Sequence, residues 1–299
     1  MDSDSGLRKT RKIAYQFILP AVIILAVIVI VPTIFLWFIS FTNYDLTQGG
    51  NFELVGLLNY IRLLSGTDSD FWPSVRISLG LMIVTVFFEF VLGLGIAVLF
   101  NRKIFAKRLW MSCLIVPLAI TPSVVGLMWK LMLNSEYGVL NYLLQFLNLK
   151  VNWLVYQNAL LSIALVDIWQ WTPFVALILY SGLQSLPIEP YESAVVDGAN
   201  GWQIFSNLTL PLLKPMIVIA LLLRSIDSLK IFDTIYVLTR GGPGNATETL
   251  SIHVYRLAFE HLGYIGRSSA VAILLLIITT ALCTSFLKVM QKGDQGERA

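Results

Sequence analysis

Residues 186–215 read LPIEPYESAVVDGANGWQIFSNLTLPLLKP and lie between two apolar runs. Pro190 suits the first turn of a helix, and Glu189 and Glu192 lie near the positive end of that helix. Gly198 and Gly201 can end the helix, because glycine tolerates left-handed dihedral angles. The pattern predicts a helix followed by a glycine break.

A second short helix is predicted after this break, at about Trp202–Leu208, with Pro211 opening the next apolar run. A connection of this length with helices of its own is uncommon and often functional. From these residues alone, a docking segment and an ordinary polar connector remain equally open.

The composition around this segment is that of a membrane protein. Of 299 residues, 57% are hydrophobic and 13% are charged, whereas soluble domains have about 25% charged residues. A soluble core of this size cannot bury so much apolar surface, but lipid can. We therefore expect an all-α integral membrane protein with six transmembrane helices: Ile13–Ile39, Ile77–Phe100, Leu109–Leu133, Ala159–Leu183, Leu212–Thr234 and Ser269–Leu287.

The basic residues predict the orientation, because cytoplasmic loops are enriched in Lys and Arg. With a cytoplasmic N-terminus, the inner side holds Arg8, Lys9, Arg11, Lys12, Arg102, Lys103, Lys107, Arg108, Lys214, Lys288, Lys292 and Arg298. The outer side holds Arg62, Arg76, Lys130, Lys150, Arg240, Arg256 and Arg267. Both termini, the turn Asn101–Arg108 and the loop Gln184–Leu210 are therefore predicted to be cytoplasmic.

The spacing in the cytoplasmic loop resembles the EAA motif of ABC importer permeases, which is Glu-Ala-Ala, three residues, Gly, nine residues and Ile-x-Leu-Pro. The resemblance implies the type I ABC importer permease fold and a coupling helix that docks into a cleft of an ATPase subunit. The implied coupling residues are Glu192, Ser193, Ala194, Asp197, Gly198, Leu208, Leu210 and Pro211.

Other stretches resemble sugar-importer permeases of the maltose and glycerol-phosphate type, above all FDTIYVLTRGGPGNATETLSIHVYRLAFEHLGYIGRSSAVAILLLII near the end of the chain. We expect residues 1–73 to hold the tail, first transmembrane helix and first outer loop. Residues 74–288 are expected to form the transmembrane type-1 permease core, with the EAA loop at 184–211, and residues 289–299 a cytoplasmic tail.

Ionisable residues inside spans are default functional candidates, since each is costly in lipid unless paired or hydrated. Asp167 and Arg224 lie at similar depth and could pair, or Arg224 could pair with Asp227 three residues along its own helix. For Glu89 we favour helix packing with a bonded carboxyl. The family resemblance implies a substrate pathway that contains Asp167, Gln170, Trp171, Phe174, Arg224, Asp227, Ser228 and Ile231.

The resemblance implies the permease subunit of an ATP-driven, binding-protein-dependent importer of a sugar or sugar derivative, multi-pass in the bacterial cytoplasmic (inner) membrane. No phosphate-binding loop ending in Gly-Lys-Ser/Thr occurs, so we expect no catalysis and no cofactor on this chain, with ATP–Mg on partner subunits. The implied partners are a second permease, two ATPase subunits, an extracytoplasmic solute-binding protein and membrane lipid, without nucleic acid.

The competing interpretations are an ABC permease for a non-sugar solute and an ion-coupled secondary transporter that uses Asp167 and Glu89.

In the predicted outer segment, His253 and His261 are expected to be interfacial rather than metal ligands. We expect the outer segment that contains Arg240 and Arg256 to contact a solute-binding protein.

Overall fold

The computed structural model describes residues 3–46, 53–260 and 263–296, with side chains described from residue 15 to residue 288 within these ranges. His261 and Arg298 lie outside the described residues, and so do the side chains of Arg8, Lys9, Arg11, Lys12 and Lys292.

The described chain consists of helices and connections. In chain order the helices are α1 (Ser3–Ser40), α2 (Leu58–Leu64), α3 (Phe71–Asn101), α4 (Lys107–Ala119), α5 (Pro122–Met132), α6 (Val139–Gln145), α7 (Ala159–Gln184), α8 (Glu189–Val196), α9 (Gly201–Ile204), α10 (Leu210–Leu229), α11 (Asp233–Leu238), α12 (Leu250–Tyr255) and α13 (Ile265–Gly296). Single π-helical turns occupy Phe205–Thr209 and Arg256–Glu260. An isolated bridge between Thr42 and Leu54 is the one β-type pairing among the described residues.

Among the described residues, five helical segments are long and apolar enough to cross a membrane: Tyr15–Ser40, Phe71–Asn101, Ala159–Gln184, Gly201–Leu229 and Ile265–Lys288. The pair α4 and α5 provides a sixth span if the two helices are taken together. The predicted all-α membrane fold is confirmed.

The third predicted span, Leu109–Leu133, is not one straight helix. It breaks between α4 and α5, which are bent by 98°. Ile120 and Thr121 are extended at the break, and Pro122 begins α5. The ring of a proline disfavours helical angles at the preceding residue, so Pro122 explains why Thr121 is extended at the break.

The second short helix predicted at Trp202–Leu208 is not separate from the fifth span. Residues Gly201–Leu229 form one continuous helical segment, in which the π turn Phe205–Thr209 joins α9 to α10. Pro211 lacks an N–H group, and the wider π turn beside it accommodates the shift in hydrogen-bond register. The segment ends at Leu229, and α11 begins separately at Asp233.

Residues 1–67 and 254–274 form one compact unit. In it, the Asn59 amide donates hydrogen bonds to the carbonyl oxygens of Ser40 and Thr42, at 2.9 and 2.8 Å. The Ser40 hydroxyl lies 2.7 Å from the Tyr60 hydroxyl. These bonds fix the end of α1, whereas the apolar side chains of its membrane-spanning part are largely exposed.

Residues 68–253 and 275–299 form the second unit, in which α7 packs against α3, α4 and α10. Gly93 lets α3 approach α7 closely, since a Cβ atom there would lie 2.9 Å from Val175 Cγ1. Gly182 does the same between α7 and α10, where a Cβ atom would lie 2.7 Å from Leu213 Cδ1. Small residues at such crossings are typical of packed membrane helices.

Candidate functional site

The loop between α7 and α10 forms the helix and glycine break that the sequence predicts. Pro190 lies in the first turn of α8, and Gly198 has a φ of +79° after the helix ends. Asn200 then caps α9: its side chain accepts from the Gln203 backbone N–H at 2.9 Å, and the Gln203 side chain accepts from the Asn200 N–H at 2.8 Å. This reciprocal capping box fixes where the second helix begins.

Helix α8 has no buried residue, although part of its surface is apolar. The side chains of Ile188, Val195 and Val196 are 64%, 64% and 86% exposed. The helix therefore presents apolar side chains together with Glu189 and Glu192 on an exposed surface. The coupling residues implied by the sequence are all accessible: Glu192, Ser193, Asp197, Gly198 and Pro211 are exposed, and Ala194, Leu208 and Leu210 are half-buried.

A hydrogen bond joins α8 to the start of the fifth span. The Tyr191 hydroxyl donates to Thr209 Oγ1 at 3.2 Å, and the Thr209 hydroxyl lies 3.3 Å from the Ile204 carbonyl oxygen. Thr209 is the last residue of the π turn and is directly followed by α10. This bond therefore connects α8 to the helical segment that carries Arg224.

Arg224, on α10, binds two carboxylates inside the membrane-spanning part. Its Nε donates to Glu89 Oε2 at 2.6 Å and its Nη2 donates to Glu89 Oε1 at 2.7 Å. Nη2 also donates to Asp167 Oδ2 at 3.0 Å. We call Glu89, Asp167 and Arg224 the ion triad; all three side chains are almost fully buried. Since they belong to α3, α7 and α10, the triad ties three helices together.

The surroundings of the ion triad mix aromatic and polar groups. The Arg224 guanidinium lies 4.8 Å from the centre of the Trp171 ring, which meets the Phe174 ring edge-on. The Gln170 amide donates to the Ile120 carbonyl oxygen at 3.2 Å, and its own Oε1 has no hydrogen-bond partner among the described residues. Buried side-chain acceptors without a hydrogen-bond partner are uncommon in folded proteins.

The structure decides between the two pairings considered for Arg224. Among the described residues its ion pairs are with Asp167 and Glu89, and Asp227 is exposed. Ser228 is buried, with its hydroxyl 3.0 Å from the Thr85 hydroxyl. The remaining predicted pathway residue, Ile231, packs against the apolar core around α5 and α7.

For Glu89 the sequence predicted a bonded carboxyl but did not identify its partner. Its carboxyl is bonded and helps to pack helices, as expected, but the bond is to Arg224. Depth could have revealed this: Glu89 lies 11 residues from Phe100 and Arg224 lies 12 residues from Leu212, so both are about 16–18 Å from the inner ends of the predicted spans at about 1.5 Å per residue.

A second charged cluster lies outside the spans. His253 Nδ1 is 2.7 Å from Glu248 Oε1, and Nε2 is 3.7 Å from Asp68 Oδ1. The Asn245 amide donates to Asp70 at 2.7 Å close by. Burial lowers the pKa of His253, but the carboxylates of Asp68 and Glu248 raise it by more, to about 9. Among the described residues no group of three or more side chains is suited to hold a metal ion.

These features agree with one protein family. The family model described as binding-protein-dependent transport system inner membrane component matches residues 89–292. The chain belongs to this family. It is therefore a permease, a membrane transport subunit of an ABC transporter and not an enzyme, and in such systems ATP hydrolysis takes place on a separate subunit.

Similar proteins cover the permease almost end to end. A probable ABC transporter permease protein of Sinorhizobium fredii is 39% identical over 98% of this chain and 96% of its own. The trehalose/maltose transport system permease protein MalF of Thermococcus litoralis is 37% identical over 93% of each chain. A chain in the crystal structure of a bacterial alginate ABC transporter, in complex with a pentasaccharide-bound periplasmic protein, matches with a TM-score of 0.79 at 22% identity over 93% of each chain. That likeness supports the fold.

Proposed function

We propose that the permease forms half of the translocation pathway of an ATP-driven, binding-protein-dependent importer, and that its cargo is a sugar or sugar derivative. The observation that carries the proposal is α8, a helix without buried residues that exposes Val195 and Val196 beside Glu192. An isolated helix of this kind, at the position of the EAA motif, is suited to dock against a partner.

The proposed assembly contains a second permease, two ATPase subunits on the cytoplasmic side and a solute-binding protein on the outer side, in a bacterial cytoplasmic membrane. ATP and Mg²⁺ belong to the ATPase subunits, and this chain holds no cofactor. The outer segment with Arg240 and Arg256 is the proposed contact for the solute-binding protein.

The proposed mechanism is alternating access driven through the coupling segment, residues 184–211. Closure of the ATPase subunits pushes on α8, and the bond between Tyr191 and Thr209 passes this movement to α10. Because Arg224 links α10 to α3 and α7, we expect the three helices to respond together and to change the side from which the pathway is open.

The sugar assignment rests on the residues around the ion triad and on the trehalose/maltose relative. Sugars present apolar ring faces and hydroxyl groups, which suit the aromatic Trp171 and Phe174 and the unpartnered acceptor of Gln170. An ion-coupled carrier would need carboxylates free to bind and release ions, whereas Asp167 and Glu89 are already paired with Arg224.

Docking is tested by co-purifying the ATPase with variants of α8. Glu192→Lys reverses the charge at the motif position and should abolish ATPase binding and uptake. Glu189→Lys makes the same change in the first turn of the same helix, outside the motif, and should retain both. Equal ATPase binding by the two variants and the native permease would refute the docking role.

The cargo is tested on the cognate solute-binding protein, by calorimetry with trehalose, maltose, glycerol phosphate and amino acids, followed by uptake of the bound solute in cells. Binding and uptake of a glycoside support the proposal. Tight binding of an amino acid or another non-sugar would refute the sugar assignment and favour a permease for a non-sugar solute. It would not affect the proposed coupling mechanism.

A further inference from the structure

A large apolar groove runs along α3, α4 and α7 within the second unit. Its volume is about 1250 Å³, above the range of about 300–1,000 Å³ that is usual for drug-sized ligands. Its lining includes Phe88 and Leu92 on α3, Trp110 on α4 and Leu165 on α7. Among the described side chains that line it, none is charged.

The chemistry of these walls does not suit the proposed cargo. Among the described side chains that line the groove, the polar atoms are the thiol of Cys113, the hydroxyl of Thr172 and indole N–H groups. A sugar bound there would lose the hydration of most of its hydroxyls without gaining protein partners, which is unfavourable. Hydrocarbon chains have no hydroxyl groups and therefore need no hydrogen-bond partners from the protein.

The dimensions of the groove suit acyl chains. Val84 and Leu99 both line it on α3 and are 15 residues apart, which is about 22 Å at about 1.5 Å per residue. One leaflet contributes about half of a hydrocarbon core of about 30 Å. The groove is thus long enough to take the full depth of a leaflet.

One end of the groove coincides with a basic turn of the chain. Ile104 and Phe105 line this end, and the sequence around them is Arg102-Lys103-Ile104-Phe105-Ala106-Lys107-Arg108. Arg102, Lys103 and Arg108 are exposed, and the Lys107 ammonium lies 4.7 Å from the centre of the Tyr180 ring. The turn is on the predicted cytoplasmic side, where basic pockets between membrane helices recognise anionic lipid headgroups.

We propose that this groove holds an anionic glycerophospholipid of the inner leaflet. Its acyl chains lie along α3 and α7, and its phosphate is bound by the basic turn at residues 102–108. An uncharged groove with cations at one end matches the two parts of an anionic lipid. The acyl chains fill the groove, and the negative headgroup binds the cations. The site is separate from the ion triad and does not depend on which solute the importer carries.

The test uses the intact importer in nanodiscs that contain phosphatidylcholine and phosphatidylglycerol in equal amounts, with a diazirine on the acyl chain of one lipid at a time. Crosslinked peptides are mapped, and retained lipids are counted by native mass spectrometry. We expect phosphatidylglycerol to be retained over phosphatidylcholine and to crosslink to α3, α4 and α7.

Two pairs of variants test the two halves of the site. Leu92→Trp fills the groove, whereas Val91→Trp changes an equally exposed neighbour (both 48%) that does not line it; only the first should lower crosslinking. Lys103→Gln with Arg108→Gln should reduce the preference for phosphatidylglycerol by about fivefold for each charge removed. The control, Lys214→Gln with Lys288→Gln, removes two other exposed cations and should leave the preference unchanged.

The charge variants alter exposed residues, so they remain informative if Leu92→Trp does not assemble. Equal retention of the two lipids by the native importer overturns the proposal. So does crosslinking that Leu92→Trp and Val91→Trp lower equally, or a groove whose residues crosslink to the second permease instead of to lipid.

Discussion

The neutral variant Asp167→Asn separates a transport role of the ion triad from a structural one. Asp167 contributes one contact to Arg224, at 3.0 Å, whereas Glu89 contributes two, at 2.6 and 2.7 Å. With all three groups ionised, the triad carries one net negative charge. Asp167→Asn removes that charge and leaves the two-point contact between Arg224 and Glu89 in place.

The contacts give an expected order of stability. A hydrogen bond to a charged group contributes about 1.5–3 kcal/mol, which sets the upper range for Asp167→Asn because an asparagine oxygen still accepts from Arg224. Glu89→Gln should cost more than Asp167→Asn, because it weakens two charged contacts of about 1.5–3 kcal/mol each as an upper range, although Arg224 stays paired with Asp167. Arg224→Met should be the most damaging of the three, since it leaves two buried carboxylates without a cation.

The assay combines membrane expression, thermal unfolding of the purified importer and solute uptake by cells. We expect Asp167→Asn to express normally, to unfold at a slightly lower temperature and to lose most uptake. Asp227→Asn, three residues from Arg224 but exposed, is the control for stability and should unfold like the native permease. Normal uptake by Asp167→Asn would remove this residue from the pathway. A loss of stability equal to that of Glu89→Gln would make the triad purely structural.

Three further predictions follow from other contacts. Replacing the whole triad by apolar residues (Glu89→Leu, Asp167→Leu, Arg224→Met) should destabilise the permease less than Arg224→Met alone, since no unpaired charge remains buried; the comparison of unfolding temperatures checks this, and an equal or larger loss would contradict it. Gly93→Val should lower expression, because a Cβ atom would lie 2.9 Å from Val175 Cγ1, whereas Gly95→Val, with open space at the Cβ position, should be tolerated. The pKa of His253 is raised to about 9, so the protonated form stabilises the segment around residues 245–253 fully below about pH 6.5 and progressively less as the pH rises through 9. Amide hydrogen exchange of this segment should show that loss, and His253→Gln should abolish the pH dependence.

The sequence predicted the elements whose signal is local. The run at Ile13–Ile39 is uncharged throughout and lies within α1, and the turn signals Pro190 and Gly198 occur at the start and after the end of α8. The bend between α4 and α5 was missed, although Pro117 and Pro122 flank it, because apolar composition alone does not distinguish a straight span from a broken one. The continuity of α9 with α10 was missed because Pro211 usually begins a helix and a π turn has no recognisable sequence pattern.

The ion triad shows why ion pairs between membrane helices cannot be predicted from residue spacing along one helix alone. Arg224 has Asp227 within one turn on its own helix, and short-range spacing made that pair attractive. The structure instead brings together residues that are 135 and 57 positions apart, because close packing of α3 on α7 at Gly93 brings two carboxylates within reach of one guanidinium. Burial separates the two cases: Asp227 is exposed on the described chain, whereas Glu89 and Asp167 are buried and need a cation. Depth across all spans, and not spacing along one, is therefore the sequence signal for such sites in membrane proteins. In the proposed mechanism the coupling segment moves α10, and because α10 carries Arg224, such a movement could not leave the triad unchanged.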